Sequence, residues 1–503
     1  MRNFSKLKTN VVLFTWAFIS IFAGAACAED ESETFPIVFR LATLNGKNGF
    51  TMNGGDFNDS GYSVSGAGDV NGDGIGDILI GASFGSSPSY LVFGSEEPWD
   101  AVINLTALNG TNGFAIKGVS STSSVSRAGD VNGDGIDDII LGAWAVNNNA
   151  GQSYVVFGRE KSQQWPAVIN LADLNGRNGF ALNGIHPGDW SGYSVSEAGD
   201  VNRDGIDDII IGASRANNDA GQSYVVYGRK EWDAEIDLFT LNGTNGFILN
   251  GISGRSYGDI SVSGAGDVND DGIDDILIGA CLGNDDAGQS YVVFGNKEPR
   301  PAVINLVDLT GANGFAINGA KEGDFSGKSV HGVGDVNDDG IDDVIIGAPG
   351  GNGFSGQSYV IFGEKKSWPA SINLGELNGG NGFTINGRAA GDSGYAVGGA
   401  GDVNDDGIPD IIIGAPLVGN SIGQSYIVFG SEAPWTEVIN LSNLNGTNGF
   451  FINGINPSDW SGYSVSGAGD INGDGVDDIL LGAYGANAND FVGQSYIIFG
   501  ERK

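Results

Sequence analysis

One unit of about 67 residues recurs seven times along this chain, and that repetition restricts its fold more than any other feature. An aspartate-rich motif of the form "DVNGDGIDD" opens at Asp69, Asp130, Asp200, Asp267, Asp335, Asp402 and Asp470, at intervals of 61, 70, 67, 68, 67 and 68 residues. Two further landmarks keep the same phase. "LNGxNGF" ends at Phe50, Phe114, Phe180, Phe247, Phe383 and Phe450, with the variant "LTGANGF" ending at Phe315. An aromatic-Gly pair closes each unit, from Phe93-Gly94 to Phe499-Gly500. Three landmarks in register seven times describe stacked copies of one supersecondary unit, each burying its apolar face against its neighbours.

Each unit reads as four short strands. In the third they are "GFALNG" (179–184), "YSVSEAGDV" (193–201), "DIIIGAS" (208–214) and "QSYVVYG" (222–228). The continuous apolar run of the third of these suits a strand covered on both faces. Gly, Asn, Asp and Pro punctuate the gaps, and no segment has a helical period. The expected fold is all-β, a seven-bladed β-propeller of four-stranded blades. An outer-type strand, "GFTMNG" (49–54), precedes the first complete inner strand, and the sequence stops three residues after Phe499-Gly500. The N-terminal strand is therefore expected to complete the last blade and close the ring. The competing architecture, a linear stack, leaves both ends uncapped.

The motif itself has the chemistry of a hard-cation loop. In "DVNGDGIDD" the oxygen-bearing side chains at positions 1, 3, 5 and 9 are Asp130, Asn132, Asp134 and Asp138, and Ile136 at position 7 offers its backbone carbonyl. Gly135 at position 6 permits the positive φ of a tight turn. Oxygen ligands at alternating positions, without His or Cys, favour Ca²⁺. The equivalent sets are Asp69, Asn71, Asp73, Ile75 and Asp77; Asp200, Asn202, Asp204, Ile206 and Asp208; and Asp267, Asn269, Asp271, Ile273 and Asp275. The later copies supply Asp335, Asn337, Asp339, Ile341 and Asp343; Asp402, Asn404, Asp406, Ile408 and Asp410; and Asp470, Asn472, Asp474, Val476 and Asp478. Up to seven Ca²⁺ are expected. The bland alternative, an Asx-rich turn that binds nothing, does not need the third carboxylate at position 9. Carboxylates about 4 Å apart repel by roughly 1–4 kcal/mol at effective dielectrics between 80 and 20. An EF-hand would place an acid at position 12, where this chain has Ile80, Leu141, Ile211, Ile278, Ile346, Ile413 and Leu481. The loop is thus expected to connect strands.

These motifs resemble the FG-GAP repeats of the N-terminal propeller of integrin α subunits, over roughly residues 36 to 500. The Phe-Gly pairs carry the resemblance, together with Gly347-Ala348-Pro349 and Gly414-Ala415-Pro416; the other copies continue Gly-Ala with Ser, Trp, Cys or Tyr. The resemblance implies a seven-bladed propeller with Ca²⁺ between the first two strands of a blade, on the face opposite the usual ligand face. Two departures matter. All seven loops keep the metal ligands, whereas integrin α chains keep them in only some blades, and no leg region, membrane span or cytoplasmic tail follows the propeller. A stand-alone secreted or surface propeller, as in bacterial FG-GAP proteins, is the expectation.

The N-terminal segment reads as a signal peptide over residues 1–28: Arg2, Lys6 and Lys8, an apolar run from Val11 to Gly24, then Ala26-Cys27-Ala28. A lipid anchor on Cys27 and a single-pass anchor are the alternatives, and residues 29–35 form a short acidic linker before the propeller at 36–503. Removing three basic residues and no acids takes the formal charge from −38 to about −41. That charge argues against nucleic acid and anionic membrane as partners. Only Cys281 survives cleavage, so disulfides cannot brace the mature chain. The protein is expected to be monomeric, and secreted, periplasmic or on the cell surface.

Specificity should lie on the opposite rim, where the units differ. One variable connection precedes the inner strand ("GDFND", "HPGDW", "EGDFS", "NPSDW") and another follows Gly-Ala ("WAVNNN", "SRANND", "LGNDD", "YGANAND"). Phe57, Trp144, Trp190, Phe325, Trp460 and Tyr484, with Asp189 and Asp459, are the candidate ligand residues; capping of the blade cores is their alternative role. Trp99, Trp165, Trp232, Trp368 and Trp435 recur after the closing strand and are expected to be structural. His186, His331 and Cys281 stand in no nucleophile or acid–base motif. The expected function is non-enzymatic adhesion or recognition of an extracellular protein or glycan. A secreted hydrolase or lyase with a rim pocket, using acids such as Asp189 and Asp459, and a purely structural surface protein are the alternatives.

Overall fold

The computed structural model describes residues 35–55, 59–83, 87–119, 122–252, 260–388, 390–432, 434–486 and 492–502. The proposed leader lies outside them, as does the linker except for Phe35. Residues from Thr34 onward form one compact unit. Seven sheets make it up, and the inner strands of successive blades contact one another around a complete ring, including the seventh against the first. The protein is a seven-bladed β-propeller.

Blade 2 shows how the sequence builds each sheet. Its inner strand, Ser124–Gly129, pairs antiparallel with Asp138–Ala143, then Gln152–Val156, then Gly179–Asn183. Asp138–Ala143 is buried along its whole length because it faces a neighbouring blade on each side. Ile139 and Leu141 join Leu79 of blade 1, whereas Ile140 joins Ile209 and Ile211 of blade 3. This is why the run is continuously apolar.

Blades carry five strands, not the four expected. The fifth is three residues long and parallel, as where Glu235–Asp237 pairs with Gly179–Asn183. It comes from the segment leading into the next repeat. Val102–Asn104, for example, edges blade 7, turns through a 3-10 turn at Leu105–Ala107, and continues as Gly113–Lys117, the fourth strand of blade 1. Each such segment ties two blades together covalently.

The N-terminal strand closes the ring as expected. Gly49–Asn53 pairs antiparallel with Gln494–Ile498 in blade 7, and Val38–Arg40 adds the parallel edge of blade 6. Phe50 is fully buried and stacks on Trp99 at 4.3 Å. Phe35, assigned to the linker, is instead 6% exposed and stacks on Phe450 at 4.9 Å. It takes the place that Trp holds in five other units. There the indole stacks on the Phe of "LNGxNGF", at 3.9 Å for Trp232 on Phe180, so the recurrent tryptophans are structural. No helix among the described residues is long and apolar enough to cross a membrane.

Candidate functional site

Antiparallel pairing sets the aspartate-rich loops, between the first and second strands, at one end of every blade. The connections after Gly-Ala and before the next inner strand lie at the other end.

In the aspartate-rich loops each side chain has a fixed task. The Asp130 carboxylate accepts the backbone N–H groups of Asp134 at 3.0 Å and Gly135 at 2.7 Å, and Asp134 accepts that of Ile136 at 3.1 Å. Asp138 at position 9 has no exposed surface; it accepts N–H from Val131 at 3.1 Å and Gly158 at 2.8 Å, and from the Asn132 amide at 3.3 Å. The copies differ mainly at position 3. Asn71, Asn132, Asn202 and Asn269 donate to their position-9 carboxylates, whereas Asn337 and Asn472 accept the N–H of Asp339 and Asp474. Asn404 is fully buried, and neither of its amide atoms has a hydrogen-bond partner among the described residues.

In each loop one carboxyl is buried beside further carboxylates of the same sign. Burial pushes every position-9 carboxyl upward, Asp343 and Asp478 to about 8. For Asp138 burial is the main cause, backbone donation from Gly158 opposes it, and the negative charges of Asp134 and Asp130 add to it. No group of three or more His, Cys, Asp or Glu among the described residues closes into a metal cluster. The carboxylates at positions 1 and 5 are turned onto the loop's own N–H groups. A hard divalent cation nevertheless fits the donor set, which is all oxygen, contains a buried anion and leaves the Asn404 amide orphaned.

Position 8 has a role that the sequence reading missed. The Asp207 carboxylate accepts the backbone N–H of Asp130 in the preceding blade at 2.8 Å. Asp137, Asp274, Asp342 and Asp477 make the same bond to Asp69, Asp200, Asp267 and Asp402. Each leans over a glycine; a Cβ on Gly129, at φ +69°, would lie 2.4 Å from Asp207 Oδ2. Gly76 and Pro409 occupy position 8 in the other two loops, so the seams between blades 7 and 1 and between blades 5 and 6 lack this latch. The signal was legible as an acid at position 8 in five copies. The latches border a central channel of about 520 Å³, where Arg127 contacts Glu197 at 3.0 Å and Asp137 at 3.3 Å.

At the opposite rim the structure brings the expected aromatics together in pairs. Trp144 and Trp190 lie 4.5 Å apart, and Trp460 and Tyr484 5.2 Å apart, all half-buried. Tyr62, Tyr395 and Tyr463, not singled out from sequence, extend the second group: Tyr463 lies 4.5 Å from Tyr484 and 5.0 Å from both Tyr62 and Tyr395. Arg215 sits 3.7 Å over the Trp190 ring. Phe325 is half-buried on an equivalent turn, and Phe57 lies outside the described residues. The two acids differ from expectation. Asp189 and Asp459 are 8% and 3% exposed and accept the backbone N–H of His186 and Asn456 at 3.1 and 2.8 Å. They hold turns from inside and do not present charge on the surface.

Among the described residues, no acid–base or nucleophilic constellation joins these side chains. His331 lies on the inner strand of blade 5, His186 on the rim turn before blade 3, and Cys281 is buried in blade 4.

Comparisons with known proteins agree with this architecture. The FG-GAP repeat profile matches residues 60–93, 122–156, 191–226, 327–361, 393–428 and 461–498. Blade 4, outside those ranges, has the same strand order. Integrin alpha pat-2 of Caenorhabditis elegans is 33% identical over 222 residues, covering 42% of this chain and 17% of its own. Integrin alpha-6 of Gallus gallus is 31% identical over 30% of this chain and 12% of its own. For integrin alpha-5 of Xenopus laevis the figures are 30%, 42% and 19%. The chain thus spans less than a fifth of each relative. Among solved structures, a mutant of AofleA from Arthrobotrys oligospora covers 84% of this chain and 99% of its own at 11% identity, but its TM-score of 0.35 carries no argument.

Proposed function

The chain is an FG-GAP repeat protein whose β-propeller resembles the integrin α N-terminus, and we propose that it is a calcium-stabilised, non-enzymatic recognition propeller. It engages an extracellular protein or glycan through the rim opposite the metal loops. The observation that carries this reading is the pairing of half-buried aromatics, Trp144 with Trp190 and Trp460 with Tyr484, on loops that vary between otherwise similar blades. Exposed aromatics on a rigid frame supply large contact area at low entropic cost.

The metal loops serve the frame. In each, the side chains at positions 1, 3, 5 and 9 and the backbone carbonyl at position 7 would hold the ion; in blade 2 these are Asp130, Asn132, Asp134, Asp138 and Ile136. Bound Ca²⁺ supplies positive charge where a position-9 carboxylate is otherwise buried uncompensated. Asp130 and Asp134 order the loop's backbone N–H groups. Secretion and surface display fit this role, since extracellular calcium suffices for weak sites.

The test is adhesion of immobilised mature protein to extracellular surfaces, in calcium and in EDTA, with and without replacement of residues 144–149 by a short Gly-Asn turn. Binding in calcium that falls after rim replacement is the expected result. Full binding by the rim variant would place the contact elsewhere.

A further inference from the structure

We infer that the rim between blades 2 and 3 is a subsite for a neutral carbohydrate, an inference that rests on the recognition role just proposed and names its ligand class. The argument begins with backbone conformation. The residue before the Ser that begins or leads into the inner strand is left-handed in five blades: Asp59, Trp190, Phe325, Asp392 and Trp460, with φ between +46° and +61°. The fold requires this conformation, because the N–H here reaches a carbonyl of the preceding blade, as from Trp190 to Asn149 at 3.0 Å and from Asp392 to Phe354 at 3.4 Å. Asp meets the requirement cheaply, whereas a bulky side chain in the left-handed region is strained. The backbone therefore does not ask for the indole of Trp190. Strain kept where a cheaper residue serves marks a functional position.

The surroundings define the ligand. Trp190 lies against Trp144, and both remain half-buried. Beside them Asn147, Asn148 and Asn149 form a left-handed turn with all three residues exposed, and Asn217 and Asn218 repeat it on blade 3. Aromatic faces match the apolar face of a pyranose, and amides both donate to and accept from its hydroxyls. The Arg215 guanidinium over the Trp190 ring offers one positive charge, but the formal chain charge of −38 disfavours a sulfated or otherwise polyanionic glycan. A neutral oligosaccharide is the occupant these features fit.

Calorimetric titration of the calcium-loaded protein with cellohexaose, a mannose-rich oligosaccharide, a β-galactan hexamer and a heparin-derived hexamer tests the inference. Binding of at least one neutral sugar is expected, with no binding of the heparin hexamer. Trp190→Asn and Trp144→Ala should weaken binding by about tenfold or more, while Trp190→Asn leaves the melting temperature unchanged or higher because Asn relieves the strain. Failure of every neutral sugar to bind, equal binding by both variants, or preference for the heparin hexamer would overturn it. Periodate treatment separates the two readings. Rim-dependent adhesion to surfaces that survives periodate leaves the recognition role standing and overturns the carbohydrate, whereas adhesion lost after periodate supports it.

Discussion

Asp207 and Asp130 belong to adjacent blades, and the Asp207 carboxylate takes the Asp130 backbone N–H at 2.8 Å. The first residue of one aspartate-rich loop is thereby anchored by the eighth residue of the next. Around most of the ring, each loop is positioned by its neighbour as well as by its own turn.

Asp207→Ala should therefore destabilise the protein by about 1.5–3 kcal/mol, the range for a hydrogen bond to a charged group. Asp207→Asn, which keeps an acceptor, should lose less. The unlatched seams allow the converse. A Cβ at Gly76 would sit 3.4 Å from the Asp470 carbonyl, an ordinary contact. Gly76→Asp is expected to add a latch and raise stability by about 0.5–1.5 kcal/mol. Urea unfolding midpoints measure both.

Removing calcium should lower the melting temperature substantially, with up to seven ions per chain found by elemental analysis of the loaded protein. Each loop needs only the affinity of extracellular modules, about 10⁻⁴–10⁻³ M. Asp134→Ala should reduce the count by one and leave the other blades loaded. A chelated protein that melts as before and contained no calcium would remove the metal from this account.

The pH dependence should change sign with the metal. Position-9 carboxyls are raised in the folded chain, to about 8 for Asp343 and Asp478, against about 4 when unfolded. Between those values the folded chain binds more protons, so the metal-free protein loses stability as pH rises. Chelated protein should melt higher at pH 5 than at pH 8. Calcium-loaded protein should show the reverse, because acid protonates the ligands.

Phe50 belongs to the closing strand, has no exposed surface and stacks on Trp99. Phe50→Ala should cost about 3–5 kcal/mol, as expected for a fully buried Phe, and as much as Phe114→Ala within blade 1. A clearly smaller loss, read by denaturant titration, would mean the N-terminal strand is only loosely attached.

The repeat, the apolar second strand and the ring closure were legible because each is written locally: Asp138–Ala143 is greasy throughout, and "GFTMNG" repeats a strand already seen six times. The fifth strand was not. Val102–Asn104 has only three residues, its ends exposed, and its partner is set by the ring. The latches were missed for a related reason, since Asp207 and its partner Asp130 are 77 residues apart and composition cannot assign an acid to a distant N–H. On the rim, Trp144 and Trp190, and Trp460 and Tyr484, were legible as neighbours on variable loops, whereas Asp189 and Asp459 are less exposed than their sequence context suggests. Their turns fold them inward onto backbone donors. Tyr62 lies on an inner strand and Tyr395 and Tyr463 immediately before theirs, and only the closing of the ring brings residues this far apart in sequence together.

The segment from Val102 to Lys117 edges one blade and completes another, so the stretch of chain that repeats is not the sheet that folds. A duplication or deletion of one repeat, begun at any point in its length, therefore still delivers a whole blade with both borders provided. Such a ring can change its blade number by copying errors without first inventing a new seam.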